Sequence, residues 1–281
     1  MIYFIYNAKG EKIRNMKFIC DHDIHIHSKL SGCSNDPMQT VERMLVYAKE
    51  NNLKTICVTD HYWEKGIDNG PMRQDYGWNS QNLPLPQAEG IKFMFGCETD
   101  LNRFGVLGIK ETLDKFDFII IPTTHLHLEG FTVEKNEDQS PAHRADLWVK
   151  RLDHVLNMDL PFNKIGIAHM VAGKIVRGKE NLLKTLDLIP DETYERVFKK
   201  VAALGSGLEI NYSDMKLECT ESERQRLLRP YKIAKNCGCK FYFGSDAHHP
   251  EVFENTLAMY NKVVDELNLT EDDKFHMAKA K

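Results

Sequence analysis

The sequence predicts an α/β barrel of seven strand and helix units, and three observations carry that prediction. Seven β-rich runs alternate with amphipathic or loop-like stretches along the chain. No break in composition divides the 281 residues, a length that suits one barrel of about 250 residues. Side chains of metal-ligating type recur just after the runs, and the strand ends of a barrel share one mouth. One domain over residues 1–281 is the expectation.

Residues 2–6 and 16–20 are β-rich and flank Asn7-Ala8-Lys9-Gly10-Glu11, so residues 1–17 predict a hairpin extension ahead of the barrel. Barrel strands are expected over 18–27, 54–59, 91–98, 116–122, 164–168, 207–211 and 240–244. In the first of these His25 and His27 share a face, because strand side chains alternate; they stand about 6 to 7 Å apart at roughly 3.3 Å per residue. Amphipathic helices are expected over 37–51, 142–156, 191–204 and 220–236, with Pro or acidic residues near several starts. Two connections are long. Residues 62–90 carry Trp63, Tyr76 and Trp78 among Gly, Pro and Asn, and residues 127–141 are polar and acidic. Loops of this length in compact domains often serve as lids.

Hydrophobic content of 42%, charged content of 28% and a formal charge of −4 are those of an ordinary globular protein, without the basic bias that nucleic-acid binding favours. No apolar run is long enough to span a bilayer and the start lacks a signal-peptide pattern, so a cytoplasmic protein without a membrane partner is expected. The seven cysteines have no zinc-finger spacing, Cys237 and Cys239 being the only close pair, and reduced thiols are expected. Oligomeric state is left open by the sequence.

His25 and His27 close the first strand, and Asp246 and His248 repeat the spacing after the last. Between them His61 follows ICVTD, Glu98 follows KFMFGC, His125 follows IIIPTT and His169 follows KIGIA. A lone histidine after a strand is usually a hydrogen-bonded structural residue. Eight ligand types at strand ends, with His143, His154 and His276 in helical or terminal stretches, instead predict one metal centre at the barrel mouth.

These motifs, DIHIHS at 23–28, VTDH at 58–61, GCET at 96–99 and GSDAH at 244–248, together with the two strand-then-His segments, resemble the polymerase and histidinol phosphatase (PHP) superfamily from about residue 18 onward. The resemblance implies a distorted seven-stranded βα barrel that hydrolyses phosphate monoesters with two or three divalent ions, zinc, manganese or iron. By it His25, His27, Glu98 and Asp246 hold one ion, and Glu98 bridges to a second held by His125 and His169. A third position takes His61 and His248. Its remaining ligand in relatives is a His or Asp beyond the HxH pair; here Cys33 lies at that distance and Asp36 slightly further on, and a thiolate would favour zinc or iron. His127 competes with His125, whose spacing from the strand is the better one. Asp23 stands behind the ligands or is structural.

Phosphate ester hydrolysis suits such a centre. Two divalent ions about 3.5 to 4 Å apart lower the pKa of a bridging water and neutralise phosphoryl charge. A carboxylate such as Glu98 can bridge them where an imidazole cannot. Glu98, Asp246 and His248 are the catalytic candidates, the last two as donors of a proton to the leaving alkoxide. Arg103, Arg144, Lys174 and Arg177 are candidate phosphate-binding cations, and Glu209 is expected to orient a ligand or line the pocket. Trp63, Tyr76 and Trp78 can stack on a flat substrate group or pack the loop. The expected partner is a small-molecule phosphate ester, with histidinol phosphate the first named candidate. Phosphodiester or nucleic-acid hydrolysis, amidohydrolase-like C–N hydrolysis and a silent metal-binding module are the competing readings.

Overall fold

A computed structural model describes residues 16–68, 70 and 74–277. The hairpin expected over 1–17 lies, apart from its last two residues, outside the described residues. The elements are β1 (His22–Ile26), α1 (Val41–Glu50), β2 (Thr55–Val58), β3 (His61–Tyr62), α2 (Tyr76–Asn79), β4 (Lys92–Thr99), β5 (Phe118–Ile121), α3 (Pro141–Val155), β6 (Ile165–Ile167), α4 (Lys179–Asp187), α5 (Asp191–Leu204), β7 (Gly207–Asn211), α6 (Tyr212–Met215), α7 (Glu221–Asn236), β8 (Lys240–Gly244) and α8 (Phe253–Leu267).

All strands run parallel in the order β1-β2-β4-β5-β6-β7-β8, and β3 continues the line of β2 along β4. Counting that interrupted strand once gives the seven strands of a nearly closed barrel. The seam between β8 and β1 has no regular ladder. Asp246 N donates to His25 O at 2.8 Å and His27 N donates to Ala247 O at 3.1 Å. Below these, Phe243 N donates to His22 Nε2 at 3.0 Å and Ser245 N to Asp23 Oδ1 at 2.9 Å. Side chains thus take the place of strand carbonyls, because buried backbone N–H groups need acceptors. Asp23 is therefore a seam residue, and Tyr47 also donates to it at 3.1 Å.

Strands buried on both faces read as continuous apolar runs, and β5, Phe-Ile-Ile-Ile, shows the sorting. Phe118 and Ile120 point into the barrel with Ile24, Cys57, Met94, Ala168 and Tyr242, while Ile119 and Ile121 face the helices. A register shift between Asp23 and Ile26 lets β1 place Ile24 in this inner layer and His25 above it. Gly166 is the small residue the filled interior requires: a Cβ there would sit 2.6 Å from Phe118 Cζ and collide with the Tyr242 hydroxyl.

The seven strands fall where the sequence places them, with the first shortened because Phe18 N pairs instead with Leu269 O at 3.1 Å. Helix α1 starts at Val41 rather than 37, since Thr40 is its cap and accepts from Arg43 N. Helices α4 and α8 were not among the expected stretches. Among the described residues no helix is long and apolar enough to cross a membrane. All seven cysteines are unpaired, as expected.

Gly166→Ala is expected to destabilise the protein by about 1–3 kcal/mol through overpacking. A lowered denaturant midpoint at unchanged slope would show it; an unchanged midpoint would mean that the barrel interior is not filled as described.

Candidate metal centre

Glu98, near the C-terminal end of β4, stands at the middle of the mouth and is 1% exposed, yet neither carboxylate oxygen has a hydrogen-bond partner. Five histidine nitrogens surround it: His61 Nδ1 at 3.0 Å, His27 Nε2 at 3.4 Å, His169 Nε2 at 3.5 Å, His25 Nε2 at 3.6 Å and His125 Nε2 at 3.8 Å. Asp246 lies beside them, its Oδ1 3.1 Å from His27 Nε2 and its Oδ2 3.5 Å from His169 Nε2. Burial would raise the Glu98 carboxyl, but His61, His25 and His125 hold it well below its usual range. Asp246 is likewise held low, burial being outweighed by Lys174, His25 and His27.

Each ring is aimed by its other nitrogen. His25 Nδ1 pairs with Glu209 at 2.5 Å, His125 Nδ1 with Asp100 at 2.8 Å and His169 Nδ1 with Asp214 at 3.6 Å. His27 Nδ1 pairs with Ser31 Oγ at 2.7 Å, and His248 Nδ1 with the Asp246 carbonyl at 2.8 Å. Metal-bound imidazoles are oriented in this way, the outer N–H fixing which nitrogen faces the ion. Two of these side chains reach the mouth from left-handed backbone, His169 at φ 59° and Asp246 at φ 54°. Such strain in non-glycine residues concentrates at functional sites.

Four overlapping sets of donor atoms at the mouth have the spacing to hold an ion: His25, His27 and Glu98; Glu98, His125 and His169; His25, His169 and Glu209; and His27, Cys33, His61 and His248; Asp36, His249 and Glu251 form a separate, more exposed set. The donors fit divalent ions, because buried carboxylate oxygens without a hydrogen-bond partner face ring nitrogens at a spacing that a shared cation would satisfy. Cys33 Sγ lies 2.8 Å from His248 Nε2. Burial alone would raise the Cys33 thiol, but hydrogen bonds from His248 and His61 bring it down to about 5. Asp36 turns instead toward His249, 3.6 Å from its Nδ1. His127 is exposed, while His125 is the ring that faces Glu98.

Of the four expected cations, only Lys174 reaches the centre. Its Nζ stands 3.4 Å from each of His125 Nε2, His169 Nε2 and Asp246 Oδ2. Arg144 is buried in α3 and donates to Leu126 O at 2.9 Å. Arg103 bonds to the Gly130 carbonyl and lies over the Phe104 ring. Arg177 is exposed in the loop ahead of α4. The aromatic residues pack the loop: Trp63 Nε1 donates to Ile67 O, Trp78 Nε1 donates to Leu30 O, and Tyr76 meets Phe116 edge-on. A cleft of about 640 Å³ opens above the centre, lined by Cys33, His61, Asp100, Leu128, Glu129 and Phe131 among others.

Sequence reasoning missed Asp60, Asp100, Asp214 and Arg151. Buried Asp60 accepts from Ser28 N, Ser28 Oγ and Ser31 Oγ, fixing the loop that carries Cys33. Arg151 donates to the carbonyls of Leu101, Thr123 and Thr132, tying the segments after β4 and β5 together. Asp60 and Asp100 have readable signals, the first inside VTDH and the second two residues beyond Glu98; Asp214 and Arg151 have none, since their partners are distant in sequence.

The PHP domain family matches this sequence over residues 23–213. The chain belongs to that family. A probable phosphatase from Caldicellulosiruptor saccharolyticus is 25% identical to this PHP protein over 228 residues, 80% of this chain and 79% of the relative. The solved structure of a histidinol phosphate phosphatase from Lactococcus lactis, complexed with zinc, L-histidinol and phosphate, superposes with a TM-score of 0.60 at 16% identity. The match covers 92% of this chain and 99% of that one and shows a shared fold.

Replacing Glu209 by Gln leaves His25 without its anionic partner and is expected to weaken divalent-ion affinity about 10- to 100-fold, measured by chelator competition. Unaltered affinity would remove Glu209 from the ligand-orienting set.

Proposed function

We propose that this PHP protein is a metal-dependent phosphatase of a small phosphate monoester, with histidinol phosphate the first candidate substrate. The observation that carries the reading is the buried, unpartnered Glu98 carboxylate ringed by oriented histidines. The name of the 25% identical relative supports the reaction class, and the ligands of the Lactococcus lactis structure support the candidate substrate.

His25, His27, Glu98 and Asp246 would hold one divalent ion, and Glu98, His125 and His169 a second; zinc, manganese and iron all suit this mixed set of N and O donors. Bound there, the ions supply Lewis acidity and charge neutralisation for attack on a phosphoryl group. The protein's own groups do the rest. Lys174, whose ammonium sits among Asp246, His125 and His169, is the cation placed to meet a phosphoryl oxygen. Against its burial, Lys174, His25 and His27 hold Asp246 well below its usual carboxyl range, so it stays a carboxylate, the form that binds a cation. The ester's organic part extends into the cleft, where Leu128 and Phe131 offer apolar contact and Glu129 a negative charge.

A panel of phosphate monoesters and diesters, histidinol phosphate included, run on protein loaded with manganese, zinc or iron, tests the proposal. Monoester turnover that falls about 10²- to 10⁴-fold in Asp246→Asn, with the fold intact by circular dichroism, is expected. Hydrolysis of diesters alone, or of no phosphate ester by the loaded protein, would overturn it. Lys174→Met is expected to raise KM for the monoester more than it lowers kcat, and an unchanged KM would take the lysine out of phosphate binding.

A further inference from the structure

The barrel has a second cavity at its other end, where the strands begin. Residues 274–277 cross beneath the strands as a plug, and Phe275 N donates to Phe241 O at 2.8 Å. The Phe275 ring packs beside Phe118 and Tyr242 under the inner layer, so close to β7 that a Cβ at Gly207 would fall 2.9 Å from it. The plug thus covers the side of β7 and β8. Beside it, at the starts of β1, β2 and β4, a cavity of about 230 Å³ remains.

Its lining sorts into an apolar floor and a cationic rim. Ile24, Phe275 and Met277 supply the floor. Lys54, Lys92 and Lys274 stand on the rim against one carboxylate, Asp21, although the whole chain carries 41 acidic and 37 basic residues. Asp21 is already paired: Lys274 Nζ lies 2.8 Å from it and also reaches Glu271 at 3.2 Å. Neither Lys54 nor Lys92 has a hydrogen bond or ion pair for its ammonium among the described residues. The two stand on adjacent strands, where Thr55 is in register with Lys92.

The volume is below the roughly 300–1,000 Å³ of sites that take drug-sized ligands, so it suits one small molecule. A neutral apolar occupant would leave both ammoniums unanswered, and a bare inorganic anion would leave the apolar floor against water. We propose that this cavity binds a small organic acid, its anionic group met by Lys54 and Lys92 and its apolar body lying on Ile24, Phe275 and Met277. The cavity is at the opposite end of β4 from Glu98, and its ligand does not depend on the reaction assigned to the mouth.

Amide hydrogen exchange read by mass spectrometry tests the proposal on the intact protein, because it reports where an acid binds. Benzoate and hexanoate at millimolar concentration are expected to slow exchange in residues 53–56 and 274–277. Benzyl alcohol, and inorganic phosphate, which has the metal centre as another destination, are expected to leave those segments unchanged. Lys54→Glu combined with Lys92→Glu is expected to raise the benzoate concentration needed for protection about 10-fold, and Lys54→Gln with Lys92→Gln to raise it less while leaving the fold undisturbed. No protection of these segments by either acid overturns the site. Protection that both double variants retain at wild-type concentrations, or that benzyl alcohol or phosphate produces equally, overturns it as well.

Discussion

A carboxylate buried at the end of a parallel strand, with no donor to either oxygen, is the constraint around which the rest of this barrel is arranged. Removing Glu98 from water without hydrogen bonds costs several kcal/mol. No backbone N–H compensates it, as one would in an ordinary buried acid. The compensation comes from ring nitrogens on four other segments: β1, the β2–β3 strand, the end of β5 and the end of β6. Closing the barrel is what brings those segments within reach of β4, so the charge at the mouth and the closure of the sheet depend on each other.

The β8–β1 seam shows how the two are joined. Gly244 stands at the end of β8, where a Cβ would collide with the Cβ of His25 and with the Glu209 carboxylate. Asp246 then turns back in left-handed conformation while its N–H bonds His25 O, so one backbone bond both sutures the sheet and sets Asp246 beside His27. Left-handed backbone at a non-glycine residue costs of order 1–3 kcal/mol, and the surrounding bonds hold it there. Stability is given up at the mouth for the sake of ligand position, while the inner layer of Ile24, Met94, Phe118, Ile120 and Tyr242 below supplies the packing.

Much of this was legible in the sequence because strands report through period and ends. Residues 207–211 and 240–244 coincide with β7 and β8, and each strand-terminal ligand type from His25 to His248 converges on one mouth. Side chains that leave loops and helices were not legible. Arg103 and Arg144 carry the right charge, but a long flexible stem gives no hint in sequence of where a guanidinium ends; one meets a loop carbonyl and the other a buried one. Asp214 and Arg151 act through partners 45 and 19 or more residues away, so no local pattern marks them. The aromatic residues of 62–90 read equally as platform or packing, and the indole N–H bonds to Ile67 and Leu30 show packing.

The electrostatics of the mouth also explain why it favours cations over any internal partner. Glu98, Asp246, Glu209, Asp100, Asp214 and Asp60 are all buried there, and Lys174 is the one lysine or arginine among the ligands described. The ring nitrogens absorb the difference. Burial alone would lower His25 and His61, yet Glu209, Glu98 and Asp246 raise the first well above its ordinary range and Glu98 raises the second. That upward pull reflects the excess of buried carboxylates over cations around these two rings. Divalent ions bound there would offset the same excess with the rings neutral, so their binding would release protons and depend on pH. The cleft over these carboxylates, lined by Cys33, His61 and Asp100, leaves that charge reachable from solvent, which a purely structural ion position would not need.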